Sequence, residues 1–167
     1  MLVTVVRTWG SSPRPVGSIM ALRQDGMVVG SVSGGCIEDD LIARYTRLKP
    51  IDAFERSGPP RVTTYGVTAD EAHRFGLPCG GTLELLLEFD ADAASLAELV
   101  RALDAGRLML RKVRLADGHV SLEPSEAPAD LRLTDVELVN TFGPAYRLLI
   151  IGAGQMSEYL ATMAQFC

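Results

Sequence analysis

Short apolar segments separated by turn residues occupy the first part of the chain and predict strands. The β-branched residues 3–6 form one such segment. Residues 18–22 and 27–31 flank Asp25-Gly26, and an Asp-Gly pair supplies the positive φ of a tight hairpin. Prolines on both sides of Arg14 stiffen the connection at residues 10–17. We therefore predict a strand, a stiff loop and an antiparallel hairpin.

The hydrophobic period changes to that of a helix directly after residue 35. Apolar side chains recur at a spacing of three and four residues, and they are Ile37, Leu41, Ile42, Tyr45 and Leu48. The acidic residues Glu38, Asp39 and Asp40 load the first turn, as is typical of a helix N-terminus. The pattern therefore places Cys36 at the start of a helix.

The remaining pattern predicts a mixed α and β domain over residues 1–140, with helices and a mixed sheet. A capping box at Thr68 and Glu71 predicts a short helix ending at Gly76. Other predicted elements are strands at 62–65, 83–89 and 131–139, a helix at 96–103 closed by Gly106, and a hairpin of 108–116 with 119–122 around Asp117-Gly118.

Residues 141–167 have the pattern of the first strand and helix of a Rossmann-like domain. Apolar residues 147–151 lead into Gly152-Ala-Gly154, a candidate nucleotide-binding turn, although Ser157 replaces the usual third glycine. A dinucleotide site needs about thirty residues and an acidic residue about twenty beyond the glycines. We therefore expect a truncated domain that does not bind NAD(P), with exposed residues near 147–165 contributing to a homodimer.

Composition and charge narrow the functional classes. The chain is 47% hydrophobic and 22% charged, with a net charge of -5 and no clustered bases, which excludes a nucleic-acid footprint. No apolar segment has the length of a membrane span, and no signal peptide precedes the first strand. Three cysteines without a C-x-x-C spacing argue against a disulfide framework or zinc ribbon. We expect a cytoplasmic protein with reduced thiols.

Cys36 follows Gly34 and Gly35 at the predicted helix start. Such a turn exposes backbone amides, and the positive end of the helix favours anions and a thiolate. The acidic residues of the first turn oppose this effect, so the net effect on the thiol of Cys36 stays open. The alternative interpretation of Cys36 is a small buried thiol.

Cys79 and Arg14 are two further candidates. Cys79 lies before Gly80 and Gly81, in a turn shaped for close backbone approach, with a buried thiol as the alternative. Arg14 suits a phosphate or carboxylate, although a solvated loop arginine is the alternative. The histidines, His73 and His119, have no metal-ligand spacing. We identify no catalytic residue and no metal site made by the protein alone.

Four segments together resemble the XdhC/CoxI family: VTVVRTWGSSPRPVGS at 3–18, GSVSGGCIE at 30–38, GLPCGGT at 76–82 and LLIIGAGQ at 148–155. The resemblance implies a non-catalytic chaperone that binds molybdenum cofactor (molybdopterin) and supports its sulfuration by a cysteine desulfurase. It also implies delivery to a xanthine dehydrogenase or related molybdenum hydroxylase.

The same resemblance makes Cys36 the first candidate ligand to the cofactor molybdenum and Cys79 the second. The other candidate cofactor-binding residues are Arg14, Gly34, Gly35, Gly80 and Gly81. Two alternatives from other classes are an NAD(P)-dependent oxidoreductase fragment, suggested by Gly152 and Gly154, and a cysteine-dependent transferase acting through Cys36.

Overall fold

A computed structural model describes residues 1–10, 12, 14–46, 57–66, 81–144, 146 and 148–164. Within these ranges the strands are β1 (Leu2–Trp9), β2 (Ile19–Leu22), β3 (Val28–Gly30), β4 (Arg61–Tyr65), β5 (Thr82–Glu88), β6 (Met109–Arg114), β7 (Val120–Pro124), β8 (Arg132–Leu133) and β9 (Glu137–Phe142). The helices are α1 (Cys36–Tyr45), α2 (Ala93–Asp104) and α3 (Gln155–Ala164).

The described strands form two sheets in which every pairing is antiparallel. The first sheet has the order β3-β2-β1-β5-β4, and the second has the order β7-β6-β9-β8. The short β2–β3 and β6–β7 connections are hairpins at Gly26 and Gly118, whose φ values are 92° and 74°. Glycine adopts this left-handed region without the steric cost that a Cβ would bring.

The two central strands of the first sheet are covered on both faces. Leu83, Leu85 and Leu87 of β5 pack with Ile37 and Leu41 of α1. From the opposite face, Val6 and Leu86 pack against Val113 and Leu138 of the second sheet. This double burial explains why residues 83–89 form a nearly continuous apolar segment.

A buried ion pair joins the two sheets. Arg111 of β6 donates two hydrogen bonds to Glu88 of β5, at 3.0 and 2.7 Å, and both side chains are almost fully buried. Beside it, α2 packs Leu99 and Ala102 against Met109 of the second sheet. The body of the protein is therefore layered as helix, sheet and sheet, with α2 at the end of the sandwich.

The structure confirms the mixed α and β class, the early hairpin and the start of α1 at Cys36. It differs from the sequence prediction in three details. The expected mixed sheet is two antiparallel sheets, and the single strand expected at 131–139 is two strands, β8 and β9, around a turn at Thr134. Residues 148–151 are not a strand, because no neighbouring strand pairs with them among the described residues.

Three further predictions concern a short helix, the domain boundary at residue 140 and the absence of a membrane span. The short helix expected from Thr68 to Gly76 lies outside the described residues. β9 runs to Phe142, two residues past the domain boundary expected at 140, and Gly143 follows with a φ of 127°. No helix among the described residues combines the length and the apolar composition that a membrane crossing requires.

Candidate functional site

Several candidate residues lie at one end of the first sheet, which we call the site end. In β1 the chain reaches this end at Trp9, which pairs with Thr82 at the start of β5. Because the pairings are antiparallel, the chain enters β2 from this side of the sheet and leaves β3 toward it. The loop carrying Arg14, the turn before Cys36 and Gly81 therefore meet one edge of the fold.

Gly30 sends the chain out of β3 toward this end. Its φ is +86°, and a Cβ at this position would lie 2.3 Å from the carbonyl oxygen of Ile19. The next residue, Ser31, donates its N–H to that same carbonyl at 3.2 Å. Only glycine fits this close approach, which directs Ser31 and the turn after it toward α1.

The carboxylate of Glu38 lies in the concave turn that precedes α1. It accepts six hydrogen bonds: from the N–H groups of Val32, Ser33, Gly34 and Gly35 at 2.8 to 3.1 Å, from the Ser31 hydroxyl at 2.8 Å, and from the Ser33 hydroxyl. Burial raises the pKa of Glu38, but the hydrogen bonds from Ser33, Gly35 and Val32 outweigh it. The net effect holds the pKa well below its ordinary value.

This geometry changes the interpretation of Gly34 and Gly35. Their amides were expected to face a bound anion, whereas both donate to Glu38. The third residue of a helix commonly reaches back to the N–H of the capping residue, and Glu38 holds this position relative to Gly35. A carboxylate supplied by the chain itself therefore occupies the amide-rich turn.

Arg14 is joined to the same cluster from the neighbouring loop. Its Nε donates to the Ser31 hydroxyl at 3.2 Å, and that hydroxyl donates to Glu38. The Ser12 hydroxyl donates to the backbone carbonyl of Arg14 at 2.8 Å and steadies the loop. The Arg14 side chain is exposed, so the structure brings a guanidinium next to the turn that carries Cys36.

Cys36 is the first residue of α1 and its side chain is exposed. Two of the three acidic residues near it have partners that compensate their charge. Glu38 is held by the turn amides, and Asp40 pairs with Arg44 at 2.8 Å. Asp40 also accepts from the Tyr65 hydroxyl at 2.9 Å; burial and then this carboxylate raise the pKa of Tyr65. The acidic first turn therefore opposes the positive helix end less than its composition suggested.

Gly81 lies against the loop that leaves β1. A Cβ on Gly10, whose φ is +71°, would lie 3.3 Å from the Gly81 Cα. The next residue, Thr82, donates its hydroxyl to the carbonyl of Gly66 at 3.2 Å. Cys79 and Gly80, which precede Gly81 in the sequence, lie outside the described residues.

The other candidates are separate from this cluster. Gly152 and Gly154 form an exposed turn before α3, where Ser157 donates its N–H to the Gly154 carbonyl at 2.9 Å. His119 lies in the β6–β7 hairpin, and His73 lies outside the described residues. Among the residues that the structure describes, no three His, Cys, Asp or Glu side chains are arranged to hold a metal ion.

The roles of Ser31 and Ser33 were not predicted from the sequence, and Glu38 was expected only to oppose the helix dipole. The signal was present, because a glutamate follows Gly35 by three residues. It also passed over Trp9, which ends β1 with half of its surface exposed.

Comparisons with known proteins agree with the family resemblance. Residues 1–66 match the family model described as "XdhC and CoxI family". The chain is 32% identical to the molybdenum cofactor insertion chaperone PaoD of Escherichia coli, over 98% of this chain and 49% of that protein. It is 23% identical to a probable xanthine dehydrogenase subunit of Bacillus subtilis, over 98% of this chain and 56% of that protein.

A solved structure described as a xanthine dehydrogenase from Bacillus halodurans has the same fold. It superimposes with a TM-score of 0.62 at 23% identity, over 86% of this chain and 48% of that chain. The chain therefore spans about half the length of the relatives that it matches.

Proposed function

Because the chain belongs to the XdhC and CoxI family, we propose that it binds molybdenum cofactor and delivers it to a xanthine dehydrogenase-type hydroxylase. The observation that carries this proposal is an exposed thiol, Cys36, directly after a turn to which an exposed guanidinium, Arg14, is hydrogen-bonded through Ser31. A thiolate is a soft ligand that suits the metal end of the cofactor, and a guanidinium suits its phosphate.

Cys36 is the residue that we assign to the molybdenum. As the first residue of α1 it lies at the positive end of the helix dipole, which stabilises negative charge on a bound ligand. The first N–H groups of a helix also lack acceptors within the helix and can donate to an anion. An exposed thiol suits a carrier, because a receiving enzyme must reach the cofactor before it is released.

Gly34 and Gly35 take an indirect part in this proposal. Their amides hold Glu38 rather than the cargo, so we assign them to shaping the turn that presents Cys36. Contact with the cofactor phosphate then falls to Arg14. Gly81 gives the backbone room beside Gly10, and Cys79 with Gly80 is the second candidate for contact with the metal end.

We also propose that a cysteine desulfurase acts on the cofactor while the chain holds it. The open position of Cys36 supports this step, since a second protein needs access to the metal. The odd number of cysteines supports reduced thiols and a cytoplasmic location. Residues 141–167, with the turn at Gly152 and Gly154, are proposed as the start of a Rossmann-like unit without an assigned nucleotide.

Purification of the protein from cells that make molybdenum cofactor tests this proposal. Bound pterin is measured by the fluorescence of its oxidised form, and molybdenum is measured by mass spectrometry. We expect both in the same fraction as the protein, and both lost from it after transfer to an apo hydroxylase that gains activity. Protein free of pterin under these conditions would overturn the proposal.

A further inference from the structure

A groove opens at the site end between the two sheets. The edge strand of the second sheet, β8, is only two residues long, and it leaves the last residues of β1 uncovered. The groove has a volume of about 450 Å³, and its lining includes Arg7, Trp9, Val16, Leu131, Arg132 and Leu133. Its size lies within the range of pockets that bind small molecules.

Trp9 provides a flat wall for this groove. Its pairing with Thr82 places it on the same face of the sheet as Arg7, which pairs with Glu84. Half of its surface is exposed, and Val16 beside it is 42% exposed. An indole presented in this way can stack on a planar ligand and strengthen its binding beyond the burial of apolar area.

Two arginines give the groove hydrogen-bond donors for the oxygen and nitrogen acceptors of a planar ligand. Arg7 contacts Glu84 at 3.3 Å and Arg132 contacts Glu137 at 3.7 Å, and both arginine side chains are more than half exposed. Exposed pairs of this kind are weak, so each guanidinium keeps donors for a ligand. The chain as a whole carries a net charge of -5. The positive charge of the two arginines beside the groove is therefore opposite in sign to the net charge of the chain.

The loop that carries Arg14 lies next to both the groove and the turn that precedes Cys36. Arg14 contacts Ser31 of the turn, whereas Val16, two residues later, lines the groove. The loop at residues 14–16 therefore borders both features.

We propose that the groove binds the pterin ring of the cargo, with Trp9 stacking on the ring and Arg7 and Arg132 donating to its oxygen and nitrogen acceptors. This inference rests on the proposed function, because that function supplies a ligand with a planar ring. It assigns the two ends of one ligand to two places, the ring to the groove and the metal to Cys36.

Trp9 is the single tryptophan of the chain, so intrinsic tryptophan fluorescence reports on this groove alone. Neopterin monophosphate, free of metal, is titrated against the protein with correction for absorbed light. We expect saturable quenching and a shift of the emission maximum. Adenosine monophosphate, a phosphate ester that has a purine in place of the pterin, should bind at least tenfold more weakly.

Variants of Trp9 and Arg132 distinguish the contribution of stacking to binding from the contribution of charge. Arg132→Ala should weaken binding by roughly five- to tenfold, which corresponds to about 1 to 1.4 kcal/mol. Arg101→Ala, on an exposed position of α2, is the matched control and should bind like the parent. Calorimetry on Trp9→Phe and Trp9→Ala should show binding kept by the first and lost by the second.

Absence of quenching by neopterin monophosphate, or equal quenching by neopterin monophosphate and adenosine monophosphate, would overturn the inference. The same preparation is then tested for retention of the complete cofactor. Retention without quenching refutes the groove and leaves the proposed function standing, whereas loss of both refutes the proposed function as well.

Discussion

The shape of the turn at residues 31–35, which precedes Cys36, depends on a single side chain, that of Glu38. Four consecutive amides converge on its carboxylate, and such convergence is stable only while a negative charge compensates them. Replacing one oxygen by NH₂ would place a donor against the N–H of Gly35 or against the other amides. The turn therefore depends on the ionised acid rather than on the size of the side chain.

We expect Glu38→Gln to lower the free energy of unfolding by about 2 to 4 kcal/mol, because charge-assisted hydrogen bonds are lost and a buried donor is left opposed. Asp39→Asn is the matched control, since Asp39 is adjacent and exposed, and it should change stability by less than about 0.5 kcal/mol. Urea unfolding followed by circular dichroism measures both. Equal stabilities of the two variants would contradict the dependence of the turn on the ionised Glu38 carboxylate.

The same residue predicts a pH dependence. The folded pKa of Glu38 lies below its ordinary value of 4.5, so its contribution is complete above that pH and is lost as the pH falls further. The stability difference between the parent and Glu38→Gln should therefore be constant from pH 6 to 8 and shrink below about pH 4.5. A difference that grew on acidification would show the opposite linkage.

Substitutions at two glycines of the site end distinguish the cost of backbone strain from the cost of a steric clash. Gly30 and Gly34 have φ values of +86° and +90°, but only at Gly30 would a Cβ meet a backbone oxygen. Gly34→Ala should cost about 1 to 2 kcal/mol from backbone conformation alone, and Gly30→Ala should cost more. Thermal unfolding compares them, and equal losses would mean that the contact with Ile19 relaxes freely.

Among the contacts between elements, the Arg111–Glu88 pair is a buried polar contact that joins the sheets. Removing one partner leaves a buried charge uncompensated, so Glu88→Leu alone should destabilise by about 3 to 5 kcal/mol. The double variant Glu88→Leu with Arg111→Met should recover most of that loss, because the interface becomes apolar. A double variant as unstable as the single one would show that the pair has a role beyond charge compensation.

Elements that depend on local pattern were predictable from the sequence. Asp25-Gly26 and Asp117-Gly118 located two hairpins, and the change of period after residue 35 located α1. Strand partners were not predictable, because the pairing of β1 with β5 joins residues about eighty positions apart and follows from packing on both faces.

The candidate site was also predictable only in its local features. The positions of Cys36 and of the glycines around it followed from local residue types. The link from Arg14 through Ser31 to Glu38 crosses between two loops, and no spacing in the sequence encodes it. The groove at Trp9 depends on where the second sheet ends, which is also a long-range property.

At the scale of the whole molecule, the segment after Gly143 is the least covered part of the described chain. Leu148, Leu149 and Ile151 are 62%, 83% and 91% exposed, and α3 has no buried residue. Burying a Leu or Ile side chain contributes about 1.5 to 3 kcal/mol. These residues therefore have a strong tendency to find a partner surface.

We expect this chain to form a homodimer through residues near 147–165, and a variant ending at Gly143 to be monomeric. Light scattering on both proteins at equal concentration measures the difference. A monomeric parent, or a shortened variant that dimerises equally, would show that this segment does not drive association.

In the proposed function Cys36 holds the cargo, and a comparison of two cysteine variants tests this role. Cys36→Ala and Cys167→Ala are loaded with molybdenum cofactor in parallel, and the molybdenum retained per protein after gel filtration is measured. We predict that Cys36→Ala loses most of the bound molybdenum while Cys167→Ala retains as much as the parent, with both proteins equally folded by circular dichroism. Equal retention by the two folded variants would contradict the claim.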